Sequence, residues 1–226
     1  MLNQTGTEAA GGSGGTESKA SPASYAGNIQ NSLPIDVVSP PRECWLSVRL
    51  RVPFVPTPEP VVRRMLSVAG VKPGELVYDL GAGDGRILLS AVKDFDARAI
   101  GVELHESRCE EIAKRIERER LGASAGVIQG DFFNINLSRA DVVTLYLLTS
   151  VNSQIKPKLE QELKPGARVV SHDFPIHGWV PVHVEKVTDR VSNSHVIYLY
   201  QVPRSVKHQS PTLTSAVSSL TRWTGF

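Results

Sequence analysis

Residues 77–87 read Val-Tyr-Asp-Leu-Gly-Ala-Gly-Asp-Gly-Arg-Ile. A short apolar run stops at Asp79-Leu80, glycines follow at Gly81, Gly83 and Gly85, and a second apolar run then opens with helical spacing. A strand, a tight glycine turn and a helix in immediate succession form the nucleotide-binding corner of a doubly wound α/β sheet. Glycine serves there because the backbone must take positive φ or lie directly against a ligand.

The spacing and charge of this turn select among nucleotides. A dinucleotide fingerprint reads G-x-G-x-x-G and presents a helix N-terminus to a pyrophosphate. This loop reads G-x-G-x-G and carries Asp79 and Asp84, which would repel a pyrophosphate. Carboxylates suit a ligand without phosphate and with a cationic amino-acid end, which describes S-adenosylmethionine. A second signal is Glu103, at the end of Ala99-Ile100-Gly101-Val102, where an acid can accept from both ribose hydroxyls with charge-assisted strength. A third is Gly130-Asp131-Phe132 after Gly126-Val127-Ile128, where a carboxylate can accept from the adenine amino group and Phe132 can cover the ring. Taken singly, each has a plainer reading: the glycines turn the chain, Glu103 is a solvated strand end, Asp131 is a cap, and Phe132 is core. Their order, each at the carboxyl end of a predicted strand, favours the cofactor.

The alternating pattern predicts strands near 76–80, 99–103, 125–129, 141–147 and 167–172, with helices near 84–93, 107–121 and 151–162. Pro157 falls inside the last helix and predicts a kink or break. Thr57 is a plausible N-cap, with Pro58 first in a helix whose apolar face is Val61, Val62, Met65, Leu66 and Val68. Strands near 181–188 and 194–202 form a closing hairpin. The expectation is an α/β, Rossmann-like, seven-stranded and mainly parallel sheet with one antiparallel edge strand and helices on both faces.

Residues 1–44 and 204–226 are poor in large apolar groups and read as flexible tails around a domain at 45–203. The formal net charge of +2 supplies no strong basic field, so a specific nucleic-acid partner is not expected. The basic helix from Lys114 to Arg120 mixes both signs and reads as a solvated face. The two cysteines, Cys44 and Cys109, suggest neither a disulfide framework nor a metal cluster and suit a reducing compartment. His105, His177, His183, His195 and His208 share no metal-ligand spacing. No run is long and apolar enough to span a membrane, and the N-terminus lacks the pattern of a secretory or transit signal. A cytoplasmic monomer without membrane contact is expected.

Asp79 to Arg86, Glu103 and Asp131 resemble the class I methyltransferases. A narrower resemblance lies in Val52-Pro53-Phe54-Val55-Pro56-Thr57-Pro58, in Tyr146-Leu147-Leu148-Thr149-Ser150-Val151-Asn152, and in Ser171-His172-Asp173-Phe174 with Gly178-Trp179. These are similar to the archaeal broad-specificity protein-lysine methyltransferases and their eukaryotic mitochondrial relatives over residues 51–202. The resemblance implies S-adenosylmethionine as cofactor and proteins with exposed lysines as substrates. It places cofactor contacts at Asp79, Gly81, Gly83, Glu103, Asp131 and Phe132, flanked by Ala82 and Leu104, with Pro56 and Thr57 folding over the cofactor.

An amine nucleophile needs oxygen acceptors to aim it, and these belong after the fourth strand, at the carboxyl edge of the sheet. Tyr146 and Thr149 are the candidates, and carbonyls near Tyr146 can also hold the cofactor's ammonium. Tyr146 reads equally well as a buried strand tyrosine, and Thr149 as a helix cap. His172 and Asp173 are a candidate proton-accepting pair, or else loop-capping groups that bond the backbone. Two other readings remain open: a small-molecule or RNA methyltransferase, and a module that binds the cofactor without turnover.

Overall fold

The computed structural model describes residues 54–202. The proposed tails, Cys44 and the start of the Val52-Pro53 segment lie outside the described residues.

The chain alternates regularly: α1 (Glu59–Val68), β1 (Leu76–Leu80), α2 (Arg86–Phe95), β2 (Arg98–Glu103), α3 (Glu106–Arg118), β3 (Ala125–Gln129), a single 3₁₀ turn (Phe132–Asn134), β4 (Val142–Leu145), α4 (Thr149–Glu162), β5 (Arg168–His172), β6 (His183–Thr188) and β7 (Ser194–Gln201). The sheet runs β3-β2-β1-β4-β5-β7-β6. β1 to β5 pair in parallel, and β7 pairs antiparallel with both β5 and β6. The reversed strand therefore sits one place inside the edge. β6 forms the edge itself, and His183, Val184, Lys186 and Thr188 on it are exposed.

Side-chain alternation sorts the core into two layers. Val77, Ala99, Val142 and Val170 point to the face covered by α1, α2 and α3. Tyr78, Ile100, Val143 and Val169 point to the other face, under Val151, Ile155 and Leu159 of α4. All five residues of β1 are buried, as a central parallel strand covered on both faces requires. Gly101 allows the close approach of α2. A Cβ there would lie 2.4 Å from Leu88 and 2.8 Å from the Ala82 Cβ, too near for a side chain.

Two local expectations are corrected. α4 runs unbroken through Pro157. The proline removes one backbone donor, but Ile155 and Leu159 on either side are fully buried and hold the helix on the sheet. Thr57 does not cap α1. The N-cap is Pro58, whose carbonyl accepts from Val61 and Val62 N–H at 2.9 and 3.0 Å, while the Thr57 hydroxyl turns toward His172. Cys109 is a free thiol buried beneath Glu103, and burial raises its pKa to about 12. No helix among the described residues is long and apolar enough to cross a membrane.

Candidate active site

Strand order reverses between β1 and β4, and an open α/β sheet binds its ligand outside the carboxyl ends at such a point. A cavity of about 620 Å³ lies there. It brings together Pro56, Thr57, Asp79, Gly81, Ala82, Gly83, Glu103, Leu104, Asp131, Phe132 and Tyr146, so every candidate cofactor residue lines one space. Thr149, His172 and Asp173 are not in that lining.

The glycine turn is built by the strands below it. Gly81 and Ala82 N–H donate to the Val102 carbonyl at 2.9 and 3.0 Å, which folds the loop over the end of β2. Gly83 takes φ 60° and donates its N–H to Glu103 Oε2 at 2.9 Å. A Cβ on Gly83 would come within 2.6 Å of the Phe54 ring, so the glycine lets the aromatic cover close. Glu103 is buried, and its other oxygen accepts from His105 N–H at 2.9 Å. Asp131 caps the 3₁₀ turn through Oδ1, accepting from Phe133 N–H at 2.9 Å. Its plainer role as a cap and its place in the cavity therefore coexist, because a carboxylate has a second oxygen.

Asp79 is the most unusual group. It is 2% exposed, and Oδ1 accepts from the Thr144 hydroxyl at 2.7 Å. Oδ2 is buried without a partner among the described residues. Burial, reinforced by the charges of Glu103 and Asp84 against the Thr144 hydrogen bond, raises its pKa to about 7. A buried carboxylate oxygen without a donor is costly, and a cationic ligand at the cavity floor would remove that cost. The residues thus fit the amino-acid end of S-adenosylmethionine, and the Gly83 and Phe54 contact leaves no room for a bulkier loop.

The segment before α1 is fastened over the cavity at three points. Arg86 donates to the Thr57 carbonyl at 2.8 Å and pairs with Asp84 at 2.7 Å. Burial opposes ionisation of Asp84, but the Arg86 guanidinium prevails and holds its carboxyl below the usual range. Arg108 lies 4.7 Å over the Phe54 ring, a cation–π contact. The Thr57 hydroxyl lies 3.3 Å from His172 Nδ1. Phe54 belongs to the segment expected to fold over the cofactor, whereas Arg86, Arg108 and Phe133 are lining groups that the sequence does not single out. For Arg86 and Arg108 the sequence offers only two charges on helices, and the groups of the covering segment that they hold, the Thr57 carbonyl and the Phe54 ring, lie on another part of the chain.

Tyr146 alone among the proposed catalytic residues reaches the cavity. Burial, with Asp173 nearby, raises its phenol pKa, so it stays protonated. Its ring lies on the fully buried His172, with centroids 3.9 Å apart. Burial, together with the neighbouring His195, holds His172 below the ordinary imidazole pKa despite Asp173. Asp173 accepts from Val196 N–H at 2.8 Å and so ties β5 to β7. Thr149 makes no side-chain cap, and the N-cap of α4 is Leu148.

Sheet order, glycine turn and the acids at the ends of β1, β2 and β3 define a Rossmann-like, S-adenosylmethionine-dependent methyltransferase. The comparisons narrow this class. Residues 79–183 match the model described as the ANTKMT methyltransferase domain. The chain is 53% identical over 152 residues to a protein-lysine N-methyltransferase of Saccharolobus islandicus, covering 67% of this chain and 94% of that protein. It is 39% identical to the adenine nucleotide translocase lysine N-methyltransferase of Mus musculus over 64% of this chain, and spans 63% of the mouse protein's length. Among solved structures, an RNA methyltransferase from Salinibacter ruber, in complex with S-adenosyl-L-homocysteine, is 38% identical with a TM-score of 0.62, covering 68% of this chain and 97% of that one. The chain belongs to the methyltransferase family that includes the Saccharolobus protein.

Proposed function

We propose that the protein transfers methyl groups to lysine side chains of protein substrates, with broad specificity. The observation that carries this reading is the charge of the cavity. Asp79, Asp84, Glu103 and Asp131 line it against Arg86 and Arg108. Two of these acids are paired with the arginines, and the remaining excess of negative charge favours a cation over a polyanion such as RNA. The relation to the Saccharolobus lysine methyltransferase supports the same substrate.

In this reading Asp79 Oδ2 holds the cofactor's ammonium, Glu103 the ribose, and Asp131 with Phe132 the adenine. Gly81, Ala82 and Gly83 give the backbone its close approach, Leu104 packs beside the ribose, and Pro56 and Thr57 cover the site. S-adenosylmethionine, when bound, supplies an electrophilic methyl on a sulfonium. The chain's residues must deliver an unprotonated amine in line with it. Lysine has a pKa of about 10.4 in water. Carboxylates attract it as a cation, and burial in the cavity then favours its neutral form. The Tyr146 phenol and the carbonyls of Tyr146 and Leu147 accept from the amine and aim its lone pair. Tyr146 does so as a neutral hydroxyl, and water carries the proton away. His172 supports the Tyr146 ring from below, and Thr149 and Asp173 serve the surrounding structure. In this reading the protein acts as a cytoplasmic monomer.

A second reading, RNA methylation, draws on the Salinibacter relative. The deciding experiment incubates the purified full chain with S-adenosylmethionine, a mixture of lysine-rich proteins, and separately total RNA, followed by peptide and nucleoside mass spectrometry. Methyl groups on lysine side chains establish the proposal. Methylated nucleosides without methylated lysine overturn it.

A further inference from the structure

One cluster of side chains has no part in cofactor binding or methyl transfer. His172 closes β5, Asp173 follows it, and His195 lies near the start of β7. Antiparallel pairing of β5 with β7, His172 opposite Ile197, brings the three together although 23 residues separate the histidines. His172 Nε2 lies 2.9 Å from His195 Nδ1 and 3.2 Å from Asp173 Oδ2, and His195 Nδ1 lies 3.4 Å from Asp173 Oδ2. We infer that these three atoms form a binding site for one divalent transition-metal ion, with Zn²⁺ the best match.

Three observations support it. The first is spacing. Donors about 2.0–2.1 Å from a metal stand about 3.3–3.4 Å apart in a tetrahedron and about 3 Å apart in an octahedron, and the edges of this triangle, 2.9, 3.2 and 3.4 Å, span that range, so a single ion can reach all three donors. The second is hydrogen accounting. Acceptors face both ring nitrogens of His195, Asp173 Oδ2 at 3.4 Å from Nδ1 and Asp189 Oδ2 at 3.5 Å from Nε2, and the single hydrogen of the neutral ring serves one of them and leaves a lone pair on the other nitrogen. With the hydrogen of His195 on Nε2, His172 Nε2 alone supplies a hydrogen to the centre, where two lone-pair partners share it. A cation satisfies all three at once. The third is the outer layer. A metal-bound imidazole normally has its second nitrogen anchored, and a bound carboxylate is itself hydrogen-bonded. Here the Thr57 hydroxyl holds His172 Nδ1 at 3.3 Å, Asp189 faces His195 Nε2, and Val196 N–H donates to Asp173 Oδ1 at 2.8 Å. Every proposed ligand is therefore oriented by its far atom. Two neutral imidazoles with the carboxylates of Asp173 and Asp189 also balance a double positive charge. The donor set, two nitrogens and one oxygen, suits zinc and its first-row neighbours rather than calcium or magnesium.

Bound there, the ion would join β5, β7 and Thr57 of the covering segment, directly beneath Tyr146. It would act as a tie under the site and take no part in the chemistry.

The test uses the untagged full chain after chelator treatment and dialysis. Zn²⁺ is titrated in competition with a chromophoric chelator, and Co²⁺ is followed by its visible absorption. The expected result is one ion per chain, an intense Co²⁺ spectrum of low coordination number, and a higher Tm with Zn²⁺. His195→Gln and Asp173→Ala should each weaken binding at least about tenfold, while S-adenosylhomocysteine still raises their Tm and so reports folded protein. Absence of wild-type binding at micromolar Zn²⁺ overturns the proposal. So does binding that persists unchanged in both folded variants, because the ion would then sit on other histidines. If the variants fail to fold, the wild-type Co²⁺ spectrum decides, and a weak spectrum like that of the hydrated ion counts against the site. None of these readouts depends on which substrate is methylated.

Discussion

Replacing Asp79 by Asn should make the ligand-free protein more stable at neutral pH while destroying its site. The carboxyl is fully buried, has one oxygen without a partner among the described residues, and has its pKa raised from 3.8 to about 7. A raised native pKa means that the folded state binds the proton more tightly than the unfolded state. The associated stability is complete below pH 3.8 and is lost as pH rises to about 7. At about 1.4 kcal/mol per pH unit, the native state loses on the order of 4 kcal/mol across this window, an upper figure for a buried group. The asparagine keeps an oxygen for the Thr144 hydroxyl and carries no charge, so it escapes this loss. Its stability advantage should therefore widen by roughly 2–3 kcal/mol between pH 5 and pH 8, or several degrees in Tm. Urea unfolding at a series of pH values measures it directly. Added S-adenosylhomocysteine should stabilise the wild type through mass action and leave the variant nearly unmoved. An advantage that does not change with pH, or a variant less stable than the wild type at pH 8, would refute the reasoning.

Binding of S-adenosylhomocysteine to the wild type below pH 7 should release a proton from Asp79, which calorimetry in buffers of different ionisation enthalpy will detect; a binding enthalpy independent of the buffer would refute it. Glu103→Ala removes the acceptor of Gly83 and His105 N–H, so it should weaken cofactor binding at least tenfold and cost about 1–3 kcal/mol of stability; unchanged affinity by calorimetry would remove Glu103 from the ribose role. Gly83→Val forces a side chain onto a φ of 60° and into the Phe54 ring, so cofactor binding should disappear; retained affinity would mean that the loop is only a turn. Tyr146→Phe should lower kcat with little change in cofactor affinity, and an unaltered kcat would pass the acceptor role to the backbone carbonyls alone.

Much of this was legible in the residues themselves. Strand, glycine turn and helix follow from local apolar runs and from φ values that glycine alone adopts cheaply. The acids Asp79, Glu103 and Asp131 mark strand ends because a ligand site in such a sheet must lie there. Their joint presence in one cavity follows from the parallel pairing that the alternation of strands and helices demands. What the residues left undecided depends on distant partners. Pro157 reads as a kink or a break, yet α4 continues through it from Thr149 to Glu162. Thr57 reads as a cap, yet its hydroxyl faces His172, 115 residues away. The orphan oxygen of Asp79 exists only because β1 lies deep between β2 and β4.

The sequence by itself determined the class of fold, the cofactor and the acids that line the cavity, since each rests on short-range preferences for backbone shape and charge. Only the tertiary structure decided that β7 lies between β5 and β6, that Phe54 closes over Gly83, and that His172, Asp173 and His195 meet. The physical reason is that these are contacts between segments far apart in the chain. Packing and hydrogen-bond satisfaction choose them collectively, and no window of neighbouring residues encodes them.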